Sequence, residues 1–346
     1  MTTPHTLHCG VAVPTGSTAR PATPPQAQRL TVLICTHDRA ALLDKALDSV
    51  QSADVPKPWR VDILVAANAC TDGTHALLER RAAHADRAHP LTWFAEPVPG
   101  KSNALNSAMS RITGDVVAFV DDDHRVDRHY LEAICSAADT YPQADIFCGR
   151  ILPDWDGTEP AWVHDAGRYR IYPLPVPHFE LGAQPRPWRD EDPIPGGGNL
   201  FLRCAWLQRV GPFKAELGPS GHNLAGSEDK DWMLRALGLG ARLQYVPQVV
   251  QYHHVEAQRL TLRYVMRKAY RRSASAVAVS RQHKVRSVPP YLLRKAAECA
   301  LKACTALGSA RRRFYLVRTA AALGEIEGHL RRPRREADSP ALTPAD

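Results

Sequence analysis

The 346-residue sequence has no apolar run near the ~20 residues that a bilayer-spanning helix needs, and stretches such as Val116–Val120 are among its longest. No transmembrane span is expected. The amino-terminal stretch, Met1 to Gln28, lacks a basic segment followed by a continuous apolar core, so a disordered leader is expected there rather than a signal peptide. Eight cysteines include no CxxC pair and no zinc-type Cys/His spacing. Several lie inside apolar runs, where a free thiol acts as a small hydrophobe, and this fits a reducing, cytoplasmic compartment. Neither G-x-G-x-x-G nor G-x-x-x-x-G-K-[ST] occurs, which leaves dinucleotide redox chemistry and P-loop phosphoryl transfer poorly supported. Aromatic residues make up only 7% and no nucleic-acid reader motif is present, so no nucleic-acid partner is expected.

What is present is an uneven charge. Lys and Arg number 44 against 36 Asp and Glu, a net +8. The stretch from Arg259 to Arg335 holds 20 basic residues and three acids (Glu298, Glu325, Glu327), so it carries +17 and the remainder −9. Such asymmetry marks a surface for an anionic partner.

From Leu30 onward, short β-branched runs alternate with helical stretches, the pattern of βαβ units around a parallel sheet. Strands are expected at Leu30–Cys35, Val61–Ala66, Leu91–Phe94 and Asp115–Val120. Helices are expected at Ala40–Gln51, Thr74–Arg87 and Lys101–Arg111. Each strand is followed by a polar cluster, and in open α/β sheets such clusters converge outside the carboxyl ends of the strands. A helix near Arg128–Thr140 and a strand near Asp145–Gly149 precede Pro153–Pro195. That segment, rich in Pro, Trp and Arg, reads as an ordered insertion whose tryptophans Trp155, Trp162 and Trp188 need packing partners. Regular structure returns at Gly196–Arg203, in a helix from Glu228 and in strands at Arg242–Val246 and Val246–Tyr252. Beyond Gln258 the chain reads as helical, broken at Pro289-Pro290.

Three clusters carry chemistry. Asp121-Asp122-Asp123 follows an apolar strand, and three adjacent carboxylates repel one another unless a cation offsets the charge. Glu228 and Asp229 open a helix after the glycine-rich Gly218–Gly226; Ser227 is placed as its N-cap, and a carboxylate delivered there can act as a general base. His253, in His253-His254 after a strand, is a candidate metal or phosphate ligand. The glycines of Pro195-Gly196-Gly197-Gly198-Asn199 suit close backbone approach to a ligand.

In order, Ile34-Cys35-Thr36-His37-Asp38-Arg39, Asn68-Ala69-Cys70-Thr71-Asp72-Gly73-Thr74, Gly100-Lys101-Ser102-Asn103-Ala104-Leu105-Asn106, Asp121-Asp122-Asp123, Glu228-Asp229 and Tyr252-His253-His254 resemble family-2 glycosyltransferases of the GT-A fold. The resemblance spans about residues 30–273. It implies an α/β fold with a Rossmann-like mixed sheet and a helical carboxyl-terminal extension. A nucleoside-diphosphate sugar is then the donor, with Thr36, Arg39, Asn68, Asp72, Lys101, Asp121 and Asp122 as donor-binding candidates. His37 and Asp38 stand where Tyr and Asn are common, and Ala67 replaces an Asp usual near the nucleobase. A divalent cation, Mn2+ or Mg2+, is implied at Asp121, Asp123 and His253. Asp229 matches the base of an inverting transfer, with Glu228 beside it as the second catalytic candidate. The implied division is a leader over 1–28, a catalytic domain over 29–258 (donor half 29–125, acceptor half 126–258), a basic helical region over 259–335 and a tail over 336–346.

The acceptor is expected to be a glycan, a lipid-linked sugar or a small molecule. Processive synthases of the family carry Q-x-x-R-W, which Gln258-Arg259-Leu260-Thr261-Leu262 does not match, so one sugar per encounter is expected. Sugar-phosphate nucleotidyltransferases have a glycine-rich opening loop that is missing after Leu30–Cys35. A non-catalytic nucleotide-sugar-binding protein is the other alternative, and the retained Asp121, Asp123 and Asp229 argue against it. In Tyr291–Leu307, Leu292, Leu293, Ala296, Ala297, Ala300, Leu301 and Cys304 recur at helical spacing with basic residues to one side. This region either packs on the catalytic domain or meets an anionic membrane surface from the cytoplasmic side.

Overall fold

The computed structural model describes residues 28–83, 89–217, 228–280 and 288–330. The expected leader, the Gly218–Gly226 loop with Ser227, and the tail over 336–346 lie outside these residues. The chain runs β1 (Arg29–Thr36), α1 (Ala40–Gln51), β2 (Arg60–Asn68), α2 (Thr74–Ala82), β3 (Leu91–Glu96), α3 (Lys101–Met109) and β4 (Val116–Asp121). It continues through β5 (His124–Val126), α4 (Tyr130–Thr140), β6 (Ile146–Asp154), β7 (Arg186–Pro187), β8 (Leu200–Arg203), α5 (Ala205–Val210), α6 (Glu228–Gly238) and β9 (Leu243–His254). Three helices close it: α7 (Leu262–Ser280), α8 (Pro290–Cys304) and α9 (Ser309–Leu330). The fold is α/β with a helical carboxyl-terminal region.

One mixed sheet has the order β3-β2-β1-β4-β8-β6-β9-β5, with β7 also on β9. β1, β2, β3 and β4 are mutually parallel, whereas β8 runs antiparallel to both β4 and β6. The period of two along the strands sorts side chains to opposite faces. On one face Leu30, Val32, Ile34, Ala118 and Val120 pack with Leu43 and Leu47 of α1 and Leu131 and Ile134 of α4. On the other, Leu33, Leu64 and Val117 pack with Leu105 of α3, Trp206 of α5 and Trp232 and Met233 of α6. Burying both faces explains why these strands read as nearly continuous apolar runs.

The strand order reverses at β1, which has β2 on one side and β4 on the other. A ligand crevice forms at such a switch point. Cys35 of β1 and Asp121 of β4 are register partners there. After β4 the chain crosses within two residues to β5, on the far side of β9, so Asp122 and Asp123 bridge the middle of the sheet to its edge.

The two strand readings around Val246 are one strand. β9 continues through Pro247, and its register with β6 jumps from Cys148↔Tyr245 to Arg150↔Val250. Gly149 sits at this jump: a Cβ there would lie 2.1 Å from the Val249 carbonyl oxygen and 2.6 Å from the Asn199 amide nitrogen. The freed Pro247 carbonyl accepts from Arg150 Nε at 2.6 Å. The Pro153–Pro195 insertion is ordered as its tryptophans require. Trp155 and Trp162 pack with Val163, Val176 and Leu260, and Trp188 packs against the second face of the sheet. Asp165 pairs with Arg313 of α9 at 2.8 Å.

Gly149→Ala is expected to lower stability by about 1–3 kcal/mol through overpacking against backbone. Gly308→Ala, with nothing within 4 Å of an added Cβ, is the matched control. Urea unfolding of the two variants checks this, and equal midpoints would contradict the packing account.

Candidate active site

The crevice is an open cleft lined by Thr36, Arg39, Asn68, Gly100, Lys101, Asp121, Asp122, Asp123 and His253, together with Cys35, His37 and Asp38. A narrower cavity adjoins it through Cys35, Lys101 and Asp121, and carries Gly197, Glu228, Asp229 and Trp232 on its wall. Every candidate residue except Asp72 thus lies on one of two connected walls. Asp72 is engaged locally: one oxygen accepts from the Ala40 N–H at the start of α1 (3.0 Å) and the other from the Thr74 N–H (3.0 Å).

Within the acidic triplet Lys101 serves Asp121, and Arg39 is shared by Asp122 and Asp123. Asp121 Oδ1 pairs with Lys101 Nζ at 2.5 Å. Burial alone would raise the Asp121 carboxyl, but the Lys101 ammonium holds it well below the usual range. Asp122 is buried and accepts from the Thr36 hydroxyl (2.7 Å) and the Arg39 guanidinium (3.1 Å). Burial, followed by the neighbouring Asp123 charge, pushes its carboxyl up to about 6. Asp123 takes Arg39 at 3.0 Å on one oxygen and also faces two imidazoles. His253 Nε2 lies 3.6 Å from Asp123 Oδ2, and His124 Nε2 lies 3.8 Å from Asp123 Oδ1. Burial lowers the His253 imidazole despite Asp123, which favours its neutral form.

His124 and His253 are directly opposed across the β5–β9 ladder, with ring centroids 5.0 Å apart. His124 has no place among the candidates read from sequence. Its signal is its position immediately after the triplet, but only the ladder to residue 253 brings the two imidazoles together. One ligand atom each from Asp123, His124 and His253 lies within 4.8 Å of the others. His253 Nδ1 is buried with no hydrogen-bond partner. A carboxylate and two imidazoles around a common point are a donor set that a divalent cation fits.

The remaining residues hold this geometry. Asn68, at the end of β2, donates to the Glu96 and Val98 carbonyls (3.3 and 2.7 Å) and accepts from the Gly100 N–H (2.7 Å), pinning the turn that delivers Lys101. Gly197 donates its N–H to Asp229 Oδ2 at 2.5 Å. The close approach expected of these glycines is therefore to site side chains: a Cβ on Gly198 would lie 2.6 Å from Asp121 Oδ2. Glu228 is buried behind Asp229, and its charge adds to the field that keeps Lys101 protonated. Cys35, in the cleft wall, is pushed up to about 12 by burial and is no nucleophile.

The profile of glycosyl transferase family 2 matches residues 31–211. The chain belongs to glycosyl transferase family 2. Membership places it among the glycosyltransferases and removes the nucleotidyltransferase and non-catalytic alternatives. This family-2 chain is 24% identical over 314 residues to the succinoglycan biosynthesis protein ExoM of Rhizobium meliloti (strain 1021), covering 89% of this chain and 94% of that protein. Its fold is similar to that of the mannosyltransferase PcManGT from Pyrobaculum calidifontis in complex with GDP-Man and Mn2+. The TM-score is 0.52 at 20% identity, over 87% of this chain and 88% of that one. It is also similar to residues 1–349 of S. aureus TarS in complex with UDP-GlcNAc, with a TM-score of 0.51 at 15% identity, over 86% and 90% of the two chains.

Asn68→Ala removes the partners of the Val98 carbonyl and the Gly100 N–H at the Lys101 turn, while the Glu96 carbonyl keeps the Ala69 N–H. It is expected to destabilise the protein by about 1–3 kcal/mol, the cost typical of an unsatisfied buried group. A denaturant midpoint equal to wild type would contradict this role.

Proposed function

We propose that the protein is an inverting, divalent-cation-dependent glycosyltransferase that moves one sugar from a nucleoside-diphosphate sugar to an acceptor hydroxyl in glycan, glycolipid or glycoconjugate synthesis. The observation that carries this reading is the placing of a carboxylate, Asp229, and a cation-fitting corner, Asp123 with its histidines, in two cavities that adjoin through Cys35, Lys101 and Asp121. Thr36, Arg39 and Asn68 border the donor's nucleoside, Asp121 and Asp122 its ribose side, and Lys101 its diphosphate. Asp72 shapes the turn beside them. The cation, Mn2+ or Mg2+, is assigned to Asp123 and His253 with Asp121 alongside, and when bound it supplies Lewis-acid stabilisation of the diphosphate leaving group.

Asp229 accepts the acceptor's hydroxyl proton as the oxygen attacks the anomeric carbon. The bond from that carbon to the phosphate oxygen breaks, and its electron pair leaves with the diphosphate. One carboxylate suffices for such a single displacement, which inverts the anomeric centre. The Gly197 N–H fixes one Asp229 oxygen and thereby the direction from which the proton is taken. The buried Glu228 carboxylate stabilises the Lys101 cation, and Lys101 and Arg39 add positive charge beside the phosphates.

The basic helices suit a second contact. No helix among the described residues is long and apolar enough to cross a membrane. α8 buries Leu292, Ala296, Cys299 and Ala303 and leaves Leu293, Ala297, Leu301 and Cys304 exposed on another stripe. Leu293 is 57% exposed, Leu301 64% and Leu307, just beyond the helix, 103%. Arg294 of α8 and Arg311, Arg312 and Arg318 of α9 are also exposed. An exposed apolar stripe together with exposed cations fits an anionic bilayer surface, to which each basic residue adds about 1 kcal/mol. A lipid-linked acceptor would be met there. The seven cysteines among the described residues are all free thiols, which supports a site on the cytoplasmic face.

Asp229→Asn is expected to cut transfer by about 10²-fold or more, since a positioned base contributes 10²–10⁴. Nucleotide binding, read by thermal shift with UDP, GDP, dTDP and CMP with and without Mn2+, stays at the wild-type level. Unchanged turnover would overturn the assignment. Leu293→Asp with Leu301→Asp is expected to abolish sedimentation with phosphatidylglycerol vesicles, and retained sedimentation would refute the membrane contact.

A further inference from the structure

We infer that His124 is a protein ligand of the cation, completing a set with Asp123 and His253, and that Gln251 is the positioning residue that holds His124 in that role. The inference rests on the cation-dependent reading above and changes its ligand set. Asp123 also pairs with Arg39, and it is the carboxylate of the triplet that has both His124 and His253 within 4 Å.

Gln251 is fully buried in β9, two residues before His253. Its amide nitrogen lies 2.9 Å from the Phe119 carbonyl, 2.7 Å from the Tyr130 hydroxyl and 3.1 Å from Asn199 Oδ1. Three oxygens around one end of the amide settle which end is nitrogen, so Oε1 is the atom that meets His124 Nδ1 at 2.5 Å. An amide oxygen only accepts, so Nδ1 carries the proton. In the neutral ring the Nε2 lone pair then points at the acidic corner, 3.8 Å from Asp123 and 4.0 Å from Asp121.

A lone pair aimed at carboxylates is repulsive unless something positive lies between them. The gaps are too long for a shared proton. They suit a metal with bonds of about 2.1 Å, whose ligand atoms lie roughly 3–4.2 Å apart. The hydrogen bond from Nδ1 to Gln251 is the outer partner that fixes the tautomer and ring angle of a ligating histidine. Gly198 completes the fit, since a Cβ there would lie 2.9 Å from His124 Cε1. Two imidazoles with one carboxylate favour Mn2+ or Co2+ over Mg2+.

Pulsed EPR of Mn2+ bound to the full-length protein carrying ¹⁵N-labelled histidine counts the ligating imidazoles without an activity assay. Two histidine couplings are expected in wild type and one in His124→Ala. Gln251→Leu is expected to weaken Mn2+ binding about 10–100-fold, the usual cost of losing an outer-sphere partner. The intact wild-type protein decides the ligand count even where a variant folds poorly. A single coupling in wild type overturns the inference and leaves the cation-dependent reading standing. No bound Mn2+, with or without a nucleoside diphosphate, overturns both.

Discussion

Three consecutive carboxylates at the end of a buried strand are the constraint on which this structure turns. Two unit charges about 4 Å apart at an effective dielectric near 20 interact by about 4 kcal/mol, so the triplet cannot stand unless each member is answered. The fold answers them from three directions. Lys101 comes from the start of α3 to Asp121, and the β1 end brings Thr36 and Arg39 to Asp122. Arg39 also reaches Asp123, beside which the β5–β9 ladder places His124 and His253. Under the proposed function the same two cations, Lys101 and Arg39, also lie beside the donor's phosphates.

That arrangement depends on backbone events away from the triplet. β9 reaches His253 in the correct register only because the β6–β9 ladder shifts at Gly149, where no side chain fits. The turn over Gly197–Asn199 then passes between β4 and α6, close enough for Gly197 to hold Asp229 and for Asn199 to join the Gln251 network. The strand-end wall of the crevice, the Asp123 corner and Asp229 are therefore parts of one packed assembly. A change in one is expected to be felt in the others, since such buried networks are coupled.

Much of this was legible in the sequence because it is local. The four strands up to Asp121 and the helix Ala40–Gln51 show in apolar period alone, and the strand-end motifs fall where the sheet switches direction. His124 and Gln251 were not legible. Their partnership joins residues 127 apart, and nothing near Gln251 marks it as buried beneath a histidine. Pro247 disguised the continuity of β9, because proline ordinarily ends a central strand. Asp72 matched its motif, yet its oxygens serve the start of α1 and its own turn, a use that spacing cannot separate from ligand contact. For α8 the apolar residues were plain, but which of them are covered is a tertiary fact: the helix packs against α9, and Leu293 and Leu301 stay exposed.

The central claim is that the β1/β4 crevice and the corner at Asp123 hold a nucleoside diphosphate and its cation together. Anomalous diffraction from crystals grown with Mn2+ and the stabilising nucleoside diphosphate tests it most directly. The account predicts one Mn2+ peak in bonding contact with the Asp123 carboxylate and with the phosphates, and the nucleoside along Thr36 and Arg39. Nucleotide density outside that crevice, or bound nucleotide with no Mn2+ peak at Asp123, would contradict it.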